Sequence, residues 1–243
     1  MAASIKKSFF KMETSLNDKI ISILPHYTHI IRPSLKHIYL SLDEEGELVI
    51  KSPKVSQRSI EQLLLKKASW IRKSQENWRT RKGKPLNLKR ENNIYFLGES
   101  YPLILQEHSK KRTILTFDKK AFYIHYHTLD TDILQKSIDR FYKKEALRYI
   151  PKIVEVWANK MHLEYNAIQL RKTKRQWGSC SANNHLSFNI MVMKLPIDVI
   201  QYIVIHELAH IKHKHHQKPF WECVERYAPD YQMHIEELKN YTT

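Results

Sequence analysis

The stretch Val199-Ile200-Gln201-Tyr202-Ile203-Val204-Ile205-His206-Glu207-Leu208-Ala209-His210 decides the fold of this chain. Its first seven residues are apolar nearly all round, which predicts a buried helix that begins near Pro196. Residues four apart share one face of a helix, about 6 Å from each other, so His206 and His210 project together. Two such imidazoles can bind one Zn²⁺ at about 2.0–2.1 Å. Glu207 projects beside them, where it can hold a water molecule and take its proton, as in HExxH zinc peptidases.

A motif this short also arises by chance, so the burial of the helix matters. A His/Glu/His cluster at the end of a buried helix costs free energy unless it binds a metal or forms polar pairs. More histidines follow at positions 213, 215 and 216, and the aromatic pair Phe220-Trp221 can cap a cleft. These features favour a zinc site over a chance match.

A catalytic zinc site needs a third protein ligand and an open coordination position. His213 lies about 10.5 Å beyond His206 on a continuous helix, so the helix must end and the chain turn back to supply that ligand. The candidates are His216, then His215, then Glu222 or Glu225. The spacing to His216 equals that of metzincins, but position 213 holds His where the metzincin turn has Gly, which argues against that group.

Composition sets the outer limits on function. The chain has 243 residues, with 41 Lys and Arg against 25 Asp and Glu, a formal net charge of +16. A hydrophobic fraction of 42% excludes wholesale disorder. Four Gly exclude a dinucleotide-binding loop, and two Cys exclude a disulfide scaffold and a Cys-rich zinc finger. The positive charge raises the possibility of a nucleic-acid or other polyanionic partner.

The charge excess is uneven along the chain. Residues 1–130 hold 24 Lys and Arg against 13 Asp and Glu, whereas residues 131–243 hold 17 against 12. No apolar run is long enough for a transmembrane helix, and the N-terminus lacks the pattern of a signal peptide. Two Cys without a signal sequence fit a reducing cytoplasm. We therefore expect a cytoplasmic protein with no membrane partner.

Hydrophobic periodicity gives a coarse element order. Alternation over 36–52 predicts a hairpin, and the 3.6-residue period over 58–80 predicts a helix. Four short apolar runs then predict a small antiparallel meander: 94–97, 102–106, 113–117 and 122–127. The second half predicts a helix over 131–162, broken or kinked near Pro151, strands at 167–171 and 185–191, and two closing helices at 217–227 and 230–240.

Several segments together resemble the YgjP-like metallopeptidase family, which is related to the SprT-like and WLM zinc peptidases. They include Gln176-Trp177-Gly178-Ser179-Cys180-Ser181, the strand ending in Phe188-Asn189, the HExxH helix, His216 and Pro229-Asp230-Tyr231. The resemblance is strongest from about 167 to 240. The combined pattern is far more specific than HExxH alone.

The resemblance implies one zinc ion per chain held by His206, His210 and His216, with Glu207 as the general base. The pattern along the chain predicts an α+β fold with a β-rich, basic N-terminal part that contains one long helix (1–130). For the second part (131–243), the resemblance implies a compact zincin-like α+β metallopeptidase domain with an HExxH helix. An edge strand is expected to receive extended substrate by β-addition, and the strand around 185–191 is the candidate.

The chain departs from the family pattern at three places. Gln176 stands where the family has Arg before Trp-Gly-Ser-Cys, which puts the role of that Arg in doubt. His215 replaces the usual Asn before the third His, and Asn184 replaces a turn Gly. None of these changes removes a predicted ligand.

Other residues carry competing interpretations. Cys180 is a nucleophile in one interpretation and part of a tight structural turn in the favoured one. Asn189 and Trp221 are candidate substrate-binding residues, although an aromatic pair more often serves in packing. Tyr227 and Tyr231 are candidate oxyanion donors.

The sequence therefore predicts a zinc-dependent metallopeptidase that acts on a peptide or protein substrate. The alternative is a nucleic-acid-associated protein that uses its basic N-terminal half, for which one form is a protease of DNA-bound proteins. Inert structural zinc and the hydrolysis of small amides or esters stay open as well.

Overall fold

The computed structural model describes residues 25–43, 45–88 and 92–243. They form an α+β fold that divides into two compact units, Met1–Thr80 (unit one) and Arg81–Thr243 (unit two). The first 24 residues of the predicted N-terminal region lie outside the described residues. Within the described part of the chain, no helix is both long and apolar enough to cross a membrane.

Unit one is a three-stranded sheet with one long helix. Its elements are β1 (Tyr27–Ile31), β2 (Tyr39–Leu42), β3 (Leu48–Ser52) and α1 (Gln57–Thr80). β2 and β3 form the predicted antiparallel hairpin, and β1 adds to β3 in parallel. The core of this unit is small and apolar, and consists of Leu48, Ile50, Ile60, Leu64 and Ile71.

Unit two begins with a four-stranded sheet. Its strands are β4 (Asn93–Phe96), β5 (Glu99–Glu107), β6 (Ile114–Phe117) and β7 (Phe122–Tyr126), in the spatial order β4-β5-β7-β6. The predicted strands exist, but the predicted antiparallel meander is wrong because β5 pairs with β7 in parallel. Apolar alternation locates strands without fixing their partners.

Helix α2 (Thr131–Met161) follows and passes through Pro151 without ending. Asp130 caps its N-terminus by accepting hydrogen bonds from two backbone N–H groups, and His162 ends it in a left-handed conformation. The buried face of α2 shares one core with Phe96 and Phe122 of the preceding sheet. Because the four-stranded sheet and α2 share this core, the boundary predicted at residue 130 falls inside unit two.

A second, three-stranded sheet carries the rest of the chain to the HExxH helix. Its strands are β8 (Ala167–Arg171), β9 (Gly178–Cys180) and β10 (His185–Asn189), in the spatial order β8-β10-β9. A 3₁₀ helix (Ile190–Lys194) ends β10 earlier than predicted. Three helices close the chain: α3 (Ile197–Lys212), α4 (Lys218–Tyr227) and α5 (Tyr231–Lys239).

Helix α3 is buried as its composition predicts. Nine of its residues are buried, including Glu207. Residues on either side of it join the same core, among them Leu186 of β10 and Phe220 of α4. The helix therefore presents its histidines at the end of an element that is held by packing along most of its length.

Candidate metal centre

Helix α3 supplies the first two imidazoles of the centre. The ring centroids of His206 and His210 lie 5.0 Å apart, as expected for residues four apart on one helical face. The helix ends at Lys212, and His213 adopts an extended conformation at its C-terminus. The chain then turns back, as it must if a residue beyond the helix is to supply the third ligand.

His216 completes the cluster. One nitrogen atom from each of His206, His210 and His216 lies within 4.8 Å of the other two. The Nε2 atoms of His216 and His206 are 3.0 Å apart. Among the described residues, this is the group of His, Cys, Asp and Glu side chains close enough together to share a metal ion.

The other candidates for the third position have different surroundings. His213 gives its backbone carbonyl to His210, with the Nδ1 atom of His210 3.0 Å from that oxygen. His215 is exposed. Glu222 lies 3.6 Å from the Lys218 ammonium on the surface of α4, and Glu225 is exposed on the same helix.

Two contacts orient the ring nitrogens. The His210 Nδ1–H donates to the His213 carbonyl, which leaves the Nε2 lone pair for the centre of the cluster. The hydroxyl of Tyr202 lies 3.4 Å from Nδ1 of His206. The first contact favours the His210 tautomer in which the unprotonated Nε2 faces the other imidazoles, and the second allows the same tautomer of His206 if the phenol oxygen accepts.

Phe220 forms the floor of the cluster. Its ring is fully buried, and its centroid lies 4.9, 4.5 and 4.7 Å from those of His206, His210 and His216.

Burial, followed by the charges of the other two histidines, lowers the pKa of His206 to about 3. Burial also lowers the pKa of His210. Both imidazoles are therefore neutral at physiological pH, as metal ligands must be.

The donor set fits a zinc ion. Three neutral imidazoles are a common ligand set of catalytic zinc, and tetrahedral coordination at about 2.0–2.1 Å places ligand nitrogens roughly 3.3 Å apart. The 3.0 Å separation of the two Nε2 atoms lies close to that value. His216 is exposed, so the cluster is open on one side.

Glu207 is buried beside the cluster with an incomplete hydrogen-bond set. The residue is only 5% exposed, and its Oε2 atom has no hydrogen-bond partner. Burial raises the pKa of Glu207 to about 8. An unpaired buried carboxyl group is costly, and such groups concentrate at functional sites.

Gly178 packs against Glu207, although the sequence pattern favours a purely structural turn at this position. A Cβ atom here would lie 2.6 Å from Oε1 and 2.7 Å from Cγ of Glu207. The backbone of β9 therefore packs directly on the carboxyl side chain, and any larger residue would displace it. The chain has four Gly residues, so each is a candidate for a position where a side chain cannot fit, and this scarcity is the sequence signal for Gly178.

Asn189 has its side chain committed to a loop. Its Nδ2 atom donates to the carbonyls of Thr173 and Gln176, and its Oδ1 atom accepts from the backbone N–H of Met191. The residue is 2% exposed. These contacts hold the basic 173–176 loop against β10, and they engage both the oxygen and the nitrogen of the Asn189 amide.

Trp221 lies beside His216, the predicted third ligand, and Tyr231 stacks on Trp221. The Trp221 ring is 5.7 Å from His216 at an interplanar angle of 30°, and it stacks on Tyr231 at 5.2 Å and 23°. Both residues are half-buried, as is Tyr227 near the end of α4. Trp221 therefore touches a predicted ligand directly.

Cys180 lies near Glu207 without joining the imidazoles. Burial raises the pKa of its thiol, the Lys214 charge lowers it, and Glu207 adds to the increase. Lys214 itself donates to the Ser181 carbonyl and to Oδ1 of Asn184. A thiol with a raised pKa is a poor nucleophile at neutral pH, which favours the structural interpretation.

The edge strand beside the site differs from the predicted one. β10 lies between β8 and β9, so both of its edges are occupied and an added strand cannot pair with it. The expectation of β-addition at 185–191 is therefore wrong. β9 lies at the edge of this sheet within the described residues, and it is the strand that contacts Glu207 through Gly178.

The site can be compared with known proteins. Residues 36–241 match a family described as YgjP-like, metallopeptidase domain. The chain is also 31% identical over 110 residues to a protein of Escherichia coli strain K12 named UTP pyrophosphatase. That alignment covers 44% of this chain and 65% of the relative, so the chain spans less than two thirds of the relative's length.

Two solved structures show a more distant similarity. One is the metallopeptidase zymogen of Pyrococcus abyssi abylysin, with 22% identity and a TM-score of 0.34 over 39% of this chain and 99% of that one. The other is the zymogen of Methanocaldococcus jannaschii jannalysin, with 23% identity and a TM-score of 0.33 over 36% and 94% of the two chains.

Proposed function

This chain belongs to the YgjP-like metallopeptidase family, and from that premise we propose that it is a zinc-dependent hydrolase that cleaves peptide bonds. One observation carries the proposal. Three imidazole nitrogens lie within 4.8 Å of one another, beside a buried carboxyl group with an unpaired oxygen. In this proposal His206, His210 and His216 hold one zinc ion, and Glu207 is the general base.

Each residue has a defined task. Zinc, when bound, supplies Lewis acidity that lowers the pKa of water and polarises the carbonyl under attack. Glu207 takes a proton from the attacking water and returns it to the leaving amine. Its position in the sequence directly after His206, and its burial at 5% exposure, keep the carboxyl group close to the imidazoles and away from bulk water. Phe220 excludes water from beneath the imidazoles.

The substrate is proposed to lie along β9. A peptide that adds to the edge of this strand would pass the Gly178–Cys180 backbone, which contacts the Glu207 side chain. Main-chain pairing of this kind would orient the scissile bond largely independently of side-chain identity.

A second candidate reaction is the hydrolysis of a nucleoside triphosphate. The similarity to the protein named UTP pyrophosphatase favours it, and the same metal and base would serve attack on phosphorus. One cation lies near the site: the charge of Lys214 reaches His210. Lys174 and Arg175 are exposed on the loop before β9.

The decisive experiment replaces Glu207 with Gln in the full chain. The variant keeps the three imidazoles, so we expect about one zinc ion per chain by metal analysis for both proteins. We expect turnover to fall by about 10²–10⁴-fold, the usual contribution of a general base. His206→Ala is the control that loses the metal itself.

Assays with two substrates, a peptide and UTP, distinguish the candidate reactions. Cleavage of peptides by the unaltered chain, lost in Glu207→Gln, supports the peptidase. Release of pyrophosphate from UTP with the same dependence on Glu207 supports the second reaction. A zinc-free unaltered chain, or full turnover by the Gln variant, would refute both. The predicted nucleic-acid partner and cytoplasmic location stay predictions.

A further inference from the structure

Helix α5 lies against the metal centre without supplying a ligand. Tyr231 and His234 are three residues apart on this helix, which places them on one face. Each is half-buried, and each stacks on an aromatic ring from another helix. Both of those rings in turn contact a predicted metal ligand.

The first contact supports His216. This imidazole is exposed and lies on the connection between α3 and α4, where no helical hydrogen bonds fix the backbone. Its ring lies 5.7 Å from that of Trp221 at 30°. Tyr231 stacks on Trp221 at 5.2 Å and 23°. The position of the most exposed ligand therefore depends on a ring that α5 holds in place.

The second contact supports His206. The ring of His234 stacks on that of Tyr202 at 5.6 Å and 29°. The Tyr202 hydroxyl lies 3.4 Å from Nδ1 of His206. Tyr202 is 4% exposed, so its phenol is held by packing, and α5 supplies part of that packing. The phenol oxygen can accept the Nδ1–H and so keep Nε2 free for a metal.

His210 is supported differently. Its Nδ1–H donates to the His213 carbonyl, a contact within the chain segment that ends α3.

We propose that α5 is a buttress that positions two of the three metal ligands, His216 through Tyr231–Trp221 and His206 through His234–Tyr202. This inference rests on the proposed function, in which the three histidines bind zinc.

The expected effect is on metal affinity. Groups that hydrogen-bond to metal ligands typically contribute 10–100-fold to affinity, and rings that position a ligand through a second ring should lie at the low end of that range. We expect removal of either stacking ring of α5 to weaken zinc binding about 10-fold. The Trp221 ring also lies 6.0 Å from that of His206, so the two stacks share a ligand and their effects should not simply multiply when both are removed.

The test compares ring-removing and ring-retaining variants of the full chain. Tyr231→Leu and His234→Leu remove the rings, whereas Tyr231→Phe and His234→Phe keep them. Met233→Ala is the matched control, because Met233 lies between the two on the same helix and is 71% exposed. Zinc affinity is measured by competition with a chromogenic chelator, and thermal melting of the zinc-free proteins reports their folding.

The buttress predicts weakened zinc binding in both Leu variants and near-unaltered binding in the Phe variants and in Met233→Ala. Equal affinities for the Leu and Phe variants would overturn it while leaving the proposed function intact. If the unaltered chain binds no zinc, the proposed function fails and this inference with it.

Tyr202→Phe keeps the test valid if a Leu variant does not fold. This change removes only the hydroxyl beside His206 and leaves the stack on His234 in place. We expect it to weaken zinc binding about 10-fold without a change in the melting of the zinc-free protein. Unaltered affinity in this variant would overturn the second half of the proposal.

Discussion

The two compact units differ in the polar groups that they bury. Among the described residues, unit one buries one polar side chain, the Ser52 hydroxyl, beside an apolar core. Unit two buries charged and amide side chains, including Glu145, Asn189, Lys194 and Glu207. Burying such groups costs free energy unless they are paired. Their concentration in unit two therefore indicates that this unit holds the functional groups of the chain.

Unit one carries its charge on the surface. Lys66, Lys67, Arg72 and Lys73 are exposed on α1, and the apolar side of that helix packs on the small core. Charge on an exposed helix face has little effect on stability. It can serve solubility or a polyanionic partner. The exposed positive charges of α1 therefore lie in unit one, and the buried charged and amide side chains lie in unit two.

The largest expected effect tests this separation. Leu64 is fully buried in the unit-one core, and Leu64→Ala should destabilise unit one by about 2–5 kcal/mol through lost burial and an unfilled cavity. Zinc affinity should not change, since the proposed ligands and the residues proposed to position them all lie in unit two. Hydrogen exchange measured by mass spectrometry should show loss of protection between residues 27 and 80. Loss of zinc binding in this variant would show that the two units do not act separately.

The next effect belongs to the site. Gly178→Ala places a methyl group where the Glu207 side chain lies, within 3 Å of three of its atoms. Glu207 must move, and a displacement of about 1 Å from the reacting position can reduce turnover about 10²-fold. Zinc content should stay near that of the unaltered chain, because the imidazoles are not displaced. Serine at position 178 should behave like alanine. Full activity in the alanine variant would contradict the packing described here.

The site shows what sequence can and cannot predict. The i, i+4 spacing by itself places His206 and His210 on one helical face. Spacing also ranks His216 first for the third position, because a turn after α3 brings it back towards the pair. The packing of Gly178 on Glu207 is not predictable in this way, since it joins segments nearly thirty residues apart whose approach depends on the whole sheet.

The fold shows the same limit. Periodicity locates α1 and the strands of the four-stranded sheet to within a few residues, because burial of one face requires it. Strand order is set by long-range packing, so periodicity cannot predict the parallel pairing of β5 with β7 or the central position of β10. The domain boundary is predicted at residue 130 because the composition changes there. The two compact units divide at residue 80 instead, and the core of unit two includes residues on both sides of residue 130.

The smallest expected effect concerns a buried charge far from catalysis. The Lys194 ammonium donates to the carbonyls of Gly83 and Thr242, which ties the start of unit two to its end. Burial lowers the pKa of Lys194 to about 8, from 10.5 for an unperturbed lysine. The folded protein therefore releases this proton at lower pH than the unfolded chain does.

That difference fixes the sign of the pH dependence. Between about pH 8 and 9.5 the unfolded chain binds more protons at Lys194, so the free energy of unfolding should rise with pH by about 1 kcal/mol per unit. Well below pH 8 both states are protonated and this dependence vanishes. Lys194→Met removes the titrating group, so urea unfolding at several pH values should show the rise in the unaltered chain and a flatter profile in the variant. If the unaltered chain and Lys194→Met showed the same pH dependence, the two carbonyls would keep the Lys194 ammonium charged. An ion–dipole contact would then join the two ends of unit two throughout this pH range.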